Sequence, residues 1–251
     1  MKVFLDLFSG IGGFALGAYW AGLRFDRHYF SEIDNYAARV YLKHFPEAVP
    51  LGDIRDVDYT KLPRGEWLVT GGFPCQPHSN AGKRKAAEDE RDLWPECRRM
   101  LCELRPEIAL FENVRGLLTS PGGKHRGEFF NGVLSDIHES GFNAEWTTMA
   151  ASEVGAPHKR ERVFIVAYPD GGNGWARMGF FKEDKQESLR ERDHRIRAKY
   201  NEWIAAVRRN AGKHIRFPEG VDAARGLGNA VVPQCAQVIL GLPAFDFWRV
   251  A

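Results

Sequence analysis

Along the first two thirds of the chain, short apolar runs alternate with amphipathic stretches in a regular order. The runs at 3–8, 28–31, 67–70, 108–111, 144–150 and 163–167 are short, rich in Val, Ile, Leu and Phe, and bounded by glycines or charged residues, so each reads as a buried strand. Between them, 15–21, 35–45, 93–104 and 128–139 carry apolar positions at helical spacing. Strand, helix, strand in this order predicts an α/β protein built on an open sheet. The pattern breaks after Tyr168. A turn-rich linker covers 169–174, and 183–210 is highly charged, with Leu189, Ile196, Tyr200, Trp203, Ile204 and Val207 spaced for one amphipathic helix. A final apolar helix is expected over 235–242, and it reads as core returning to the first part of the chain.

The composition permits such a core: 44% of the 251 residues are hydrophobic and 27% charged. The formal net charge of +2 does not by itself mark a nucleic-acid binder, so the placement of charge matters more. No apolar run is long enough to cross a bilayer, and the chain opens into a strand without a signal-peptide pattern. Cys75, Cys97, Cys102 and Cys235 are irregularly spaced, which suggests neither a disulfide framework nor a metal site. Together these features point to a reducing, cytoplasmic setting.

Candidate chemistry collects at strand ends. The first strand runs into Gly10-Ile11-Gly12-Gly13 and a helix, the opening of a nucleotide-binding unit. Glu32 follows the second strand, about 20 positions beyond the glycines, where such folds bind a ribose hydroxyl. Asp53 lies beyond a further strand end. The set suggests an adenosine-containing cofactor. The compact glycine turn differs from the spaced dinucleotide fingerprint, and Asp6 adds a negative charge at the first strand end. Both lean towards S-adenosylmethionine, which carries a sulfonium cation and no phosphate.

A lone loop cysteine has no chemical role by default, but Cys75 follows two glycines and stands in Pro74-Cys75-Gln76-Pro77. That setting suits an aimed nucleophile. The stretch 76–92 reads as a solvated lid with a basic start. Glu112 ends the strand at 108–111. Arg160 and Arg162 are two apart, so they share a face if the strand has begun there, and both could meet an anion or a base. The arginines of the 183–210 helix suit a solvated face and a phosphate contact equally well.

These blocks together resemble the DNA cytosine-5 methyltransferases: Asp6 to Phe14, Glu32, Asp53, Gly72-Phe73-Pro74-Cys75-Gln76-Pro77, Glu112-Asn113-Val114, Arg160-Glu161-Arg162 and Gly228 to Pro233, in the family's order. The resemblance implies a Rossmann-like S-adenosylmethionine-dependent methyltransferase sheet with a small helical recognition insert, divided as 1–168 catalytic, 169–226 target recognition and 227–251 a C-terminal return to the catalytic domain. It implies catalytic roles for Cys75 as nucleophile, Glu112 on the base, and Arg160 and Arg162 as charge stabilisers. Phe8, Gly10, Gly12, Glu32, Ile33, Asp53, Ile54, Pro74, Leu93 and Asn229 match the cofactor pocket. The implied reaction is methyl transfer to C5 of cytosine through a Cys75–C6 adduct, on a base turned out of the duplex. The implied setting is a cytoplasmic monomer acting on double-stranded DNA, with a cognate restriction endonuclease as partner and no membrane. Two departures stand out: His158 occupies a position that is usually Gln, and 169–226 is short for a recognition region. Readings that compete are an RNA cytosine-5 methyltransferase, a non-catalytic remnant that binds DNA or cofactor, and an α/β dehydrogenase, which leaves Cys75, Glu112 and the arginines unexplained.

Overall fold

The computed structural model describes residues 1–74, 93–121, 125–154, 156, 159–171 and 231–249. Cys75, the lid stretch 76–92, His158, Asn229 and the charged stretch 183–210 lie outside them.

The described chain runs β1 (Lys2–Leu7), α1 (Gly13–Trp20), β2 (Arg27–Ser31), α2 (Asn35–His44), β3 (Val49–Pro50), β4 (Glu66–Gly71), α3 (Trp94–Leu104), β5 (Ile108–Val114), α4 (Glu128–Glu139), β6 (Phe142–Ala150), β7 (Glu161–Pro169) and α5 (Pro233–Leu240). The strands form a sheet in the order β3-β2-β1-β4-β5-β7-β6. β1 to β5 are parallel, which the helices between them permit. β7 enters antiparallel between β5 and β6. Only residues 151–160 join β6 to β7, too few for the crossover that parallel neighbours need.

Val3, Phe4, Leu5 and Leu7 of β1 put apolar side chains on both faces of the strand because both faces are covered. Phe4 joins a core shared with α1, α2 and α5, while Val3, Leu5 and Leu7 join another shared with α3 and α4. α2 starts at Asp34, whose Oδ1 accepts the N–H groups of Tyr36 and Ala37 at 2.8 and 3.1 Å.

The last described segment packs on the first helix. A Cβ placed on Gly13 would lie 2.4 Å from Val231 O, and one on Gly17 would lie 2.6 Å from Ala236 Cβ and 2.7 Å from Pro233 O. These two glycines, one turn apart, let α1 and α5 approach backbone to backbone. Farther on, Arg24 N donates to Trp248 O at 2.7 Å, and Trp248 Nε1 donates to Glu66 O at 3.4 Å.

Candidate active site

The candidate residues gather past the carboxyl ends of β1, β2, β4 and β5, where open α/β sheets place their ligands. The turn after β1 is sharp: Phe8 has φ +50°, Gly10 +54° and Gly12 +95°. Gly10 faces open space where a side chain would sit. At Gly12 a Cβ would press on Phe45 and Tyr41, so this glycine also answers to packing against α2. Glu32 Oε2 accepts Gly10 N–H at 2.7 Å and Oε1 accepts Asp34 N–H at 2.8 Å, which fixes the carboxylate beside the turn. Ile33 next to it is 67% exposed, an apolar side chain left in solvent at a strand end.

Asp53 opens a short 3-10 turn, Ile54–Asp56, and accepts hydrogen bonds from Arg55 N and Nε, both at 3.0 Å. The Arg55 hydrogen bonds hold its carboxyl below the usual carboxylate range. Ile54 is buried in the core beneath β1 and β4 rather than open to solvent. Leu93 is half-buried at the start of α3, and Pro74 is exposed.

Glu112, near the end of β5, is the most constrained of the group. Arg162 Nε lies 2.7 Å from Glu112 Oε1, and both side chains are largely buried. Glu112 Oε2 faces Gly72, where a Cβ would come within 3.3 Å of it. Burial pushes the Glu112 carboxyl up, and the positive charges of Arg162 and Arg160 oppose that rise. Arg162 is the second residue of β7, while Arg160 just precedes the strand. Burial and the like charge of Arg162 pull the Arg160 guanidinium down, and Glu112 offsets part of this. The fold thus joins Glu112 to the two arginines across antiparallel strands, an approach that their separation along the chain conceals.

Asp6 overturns an expectation. It is fully buried on the α2 side of the sheet; Thr70 Oγ1 donates to Oδ1 at 2.8 Å and Tyr41 OH donates to Oδ2 at 3.2 Å. Burial pushes its carboxyl up to about 8 despite those hydrogen bonds. At neutral pH it is mostly protonated, so it places no full negative charge at the strand end. His28 Nε2 sits 2.7 Å from the Tyr41 hydroxyl, and burial lowers the His28 imidazole to about 4, leaving it neutral. An unfolded Asp ionises near 3.8. Between about 4 and about 8 the folded protein therefore keeps a proton that the unfolded chain has lost, and this contribution to stability falls as pH rises through that window. Asp6→Asn removes the titration. Urea midpoints from pH 4 to 9 should show the wild type losing ground to the variant up to about pH 8 and then running parallel; curves parallel throughout would refute the protonated carboxyl.

Sequence reasoning missed several residues here. Asn113, Val231 and Asp6 stood in the matching blocks without the contacts they make, while Thr70, Tyr41 and His28, which join Asp6 in a chain of hydrogen bonds, pass as ordinary strand and helix positions when read in isolation. Cys235, taken as core, is buried, and its thiol is pushed up to about 12 by burial and then by the charge of Glu112.

The model for the C-5 cytosine-specific DNA methylase family matches residues 2–216. The chain belongs to that family. Curated relatives of this methylase family member include the Type II methyltransferase M.BsuFI of Bacillus subtilis, 38% identical over 176 residues that make up 67% of this chain and 40% of the relative. M.BanI of Aneurinibacillus aneurinilyticus is also 38% identical, over 66% of this chain and 38% of its own. The chain thus spans about two fifths of the length of these relatives. Among solved structures, an E. coli prophage protein described as a DNA modification methyltransferase matches at TM-score 0.51 and 27% identity, over 67% of this chain and 47% of its own. A Spodoptera frugiperda DNMT2 variant shares the fold at TM-score 0.57 and 23% identity, over 74% of this chain and 54% of its own. Among the described residues of the methylase chain, no helix is long and apolar enough to cross a membrane.

Proposed function

We propose that the protein transfers a methyl group from S-adenosyl-L-methionine to C5 of cytosine in double-stranded DNA, through a covalent adduct between Cys75 and C6. The observation that carries this reading is Glu112: a buried carboxyl with a raised pKa, held by Arg162 and set against Gly72, three residues before Cys75 in the chain. The family membership supplies the base and the position on it.

C5 of cytosine is a weak nucleophile. Addition of the Cys75 thiolate to C6 makes an enamine whose C5 is electron-rich, and the ring nitrogen N3 gains negative charge as the C–S bond forms. Because burial raises the affinity of Glu112 for a proton, it suits a donor to N3, and its other oxygen can accept from the exocyclic amine. Arg162 orients Glu112 and, with Arg160, stabilises the developing charge. Loss of the C5 proton then expels the thiol and restores the aromatic ring.

The residues past β1 and β2 fit an adenosyl cofactor. The open space at Gly10, the fixed Glu32 carboxylate and the exposed Ile33 offer backbone room, a ribose partner and an apolar surface for a purine. The bound cofactor would supply an electrophilic methyl on a sulfonium. Glu32, Ile33 and Asp53 would hold the adenosine end. The relatives' designation as Type II methyltransferases supports a modification role beside a cognate restriction endonuclease.

DNA in which 5-fluorocytosine replaces cytosine tests the reading. Fluorine at C5 does not leave as a proton does, so turnover stops at the adduct. Incubation with S-adenosylmethionine should give a denaturation-resistant protein–DNA species, and peptide mapping should place the DNA on Cys75. No adduct on DNA would sink the proposal, and an adduct only on fluorinated RNA would redirect it to an RNA substrate.

A further inference from the structure

α1 begins without a cap of its own. Gly12 stands at its N-cap position with no side chain to accept an N–H, and the first turn holds no acidic residue. α2, by contrast, is capped by Asp34. The acceptor for α1 comes from the strand before it. The fully buried Asp6 carboxyl takes a hydrogen bond from the Ala15 amide in the first turn, one of the N–H groups that a helix leaves without a partner. Thr70, opposite Asp6 in the ladder between β1 and β4, and Tyr41 of α2 hold the same carboxyl. One side chain thus ties β1, β4, α1 and α2 together.

The bond between Asp6 and Ala15 closes a loop whose middle is the glycine turn. Phe8 lies inside that loop with φ +50°, a left-handed conformation that is unfavourable for a residue bearing a Cβ. Such a backbone persists only where its surroundings fix it. On the β2 side the turn is held at Ser9, whose N–H donates to Ser31 O at 3.1 Å, and at Gly10, whose N–H donates to Glu32. At the helical end of the loop, the Asp6 carboxyl holds α1 to the sheet.

We propose that Asp6 is a positioning residue for the cofactor: by capping α1 from the adjoining strand, it keeps the turn from Phe8 to Gly12 in the shape against which the adenosyl group binds. The inference rests on the cofactor reading above. Asp6 itself touches no cofactor, because it is enclosed by Thr70, Tyr41 and α1. The role calls for an acceptor rather than a charge. The carboxyl is mostly protonated at neutral pH, and its own proton can be donated to the Thr70 or Tyr41 oxygen, since a hydroxyl can turn to accept. Asparagine can imitate that state, with its carbonyl towards Ala15 and its NH₂ towards a hydroxyl. Alanine cannot.

Calorimetric titration of the full chain with S-adenosylmethionine, reported per folded molecule, tests this with three variants. Without the cap a share of the molecules lacks the formed turn, and the apparent affinity falls by that share. Asp6→Ala should weaken binding roughly 10- to 30-fold, the scale of a lost cap and an orphaned buried amide. Asp6→Asn should stay within about threefold of wild type, because it keeps the acceptor. Val133→Ala, in the buried face of α4, lowers stability without touching the turn and should bind as wild type does. A second readout uses proteins that keep the acceptor and so the fold. In the wild type the Ala15 amide resonance should titrate with a midpoint near pH 8, and in Asp6→Asn it should not, although His28, Tyr41 and Glu32 remain around it. Asp6→Ala binding as tightly as Val133→Ala, or a wild-type Ala15 amide that does not follow the Asp6 carboxyl, would overturn the positioning role and leave the cofactor reading standing. A wild type that binds no S-adenosylmethionine would remove that reading, and this inference with it.

Discussion

Glu112→Gln is expected to slow methyl transfer about 10²- to 10³-fold while the protein still folds and binds S-adenosylmethionine. The substitution keeps shape and removes one ionisable group. To retain the 2.7 Å contact with Arg162 Nε, the glutamine must turn its carbonyl to the arginine. Its NH₂ then takes the place of Oε2 beside Gly72. That group can still donate to a ring nitrogen. It cannot give up a proton as the N3 charge develops. Arg160 and Arg162 also lose the charge that balances them, which costs stability because all three side chains are at least partly buried. Single-turnover methylation measured well below the melting temperature separates the two effects. A rate within tenfold of wild type would remove Glu112 from the chemistry.

Gly17→Ala is expected to destabilise the fold by about 1–3 kcal/mol, whereas Gly132→Ala should stabilise it by about 0.5–1 kcal/mol. Both glycines lie inside helices, so propensity alone favours alanine at each. At Gly132 a Cβ meets nothing within 4 Å, and the gain is realised. At Gly17 the new methyl would sit 2.6 Å from Ala236 Cβ and 2.7 Å from the Pro233 carbonyl, so α1 and α5 must part. Backbone cannot swing aside as a side chain can. Melting temperatures should move in opposite directions, by about 2–4 °C per kcal/mol in a protein of this size. A stable Gly17→Ala would mean that α5 does not dock on α1 as described.

The elements were legible in the sequence because each carries its own period. The helix expected at 128–139 matches α4 at both ends, and the other expected elements that fall within the described residues differ by a few residues at their boundaries. Strand ends shift more than strand centres because burial continues past the apolar run: β5 extends through the buried Glu112 and Asn113 before ending at the exposed Val114. Candidate site residues could be named for the same reason, since glycine turns and strand ends are local patterns. Asp6 could not be read correctly. A carboxylate in sequence carries no sign of its burial, and only Thr70, Tyr41 and full enclosure turn it into a neutral acid.

By itself the sequence determined the order of strands and helices, the family and the chemical types at the strand ends, all of which depend on neighbours a few positions apart. Tertiary structure decided what those groups become. It brought Glu112 against Arg162 across antiparallel strands, carried the amide of Asn113 to the carbonyl of Phe73, and laid α5 on two glycines of α1 more than 200 residues earlier in the chain. Such contacts depend on strand register and helix approach. Charge state, reach and steric room follow from that geometry, which no local pattern encodes.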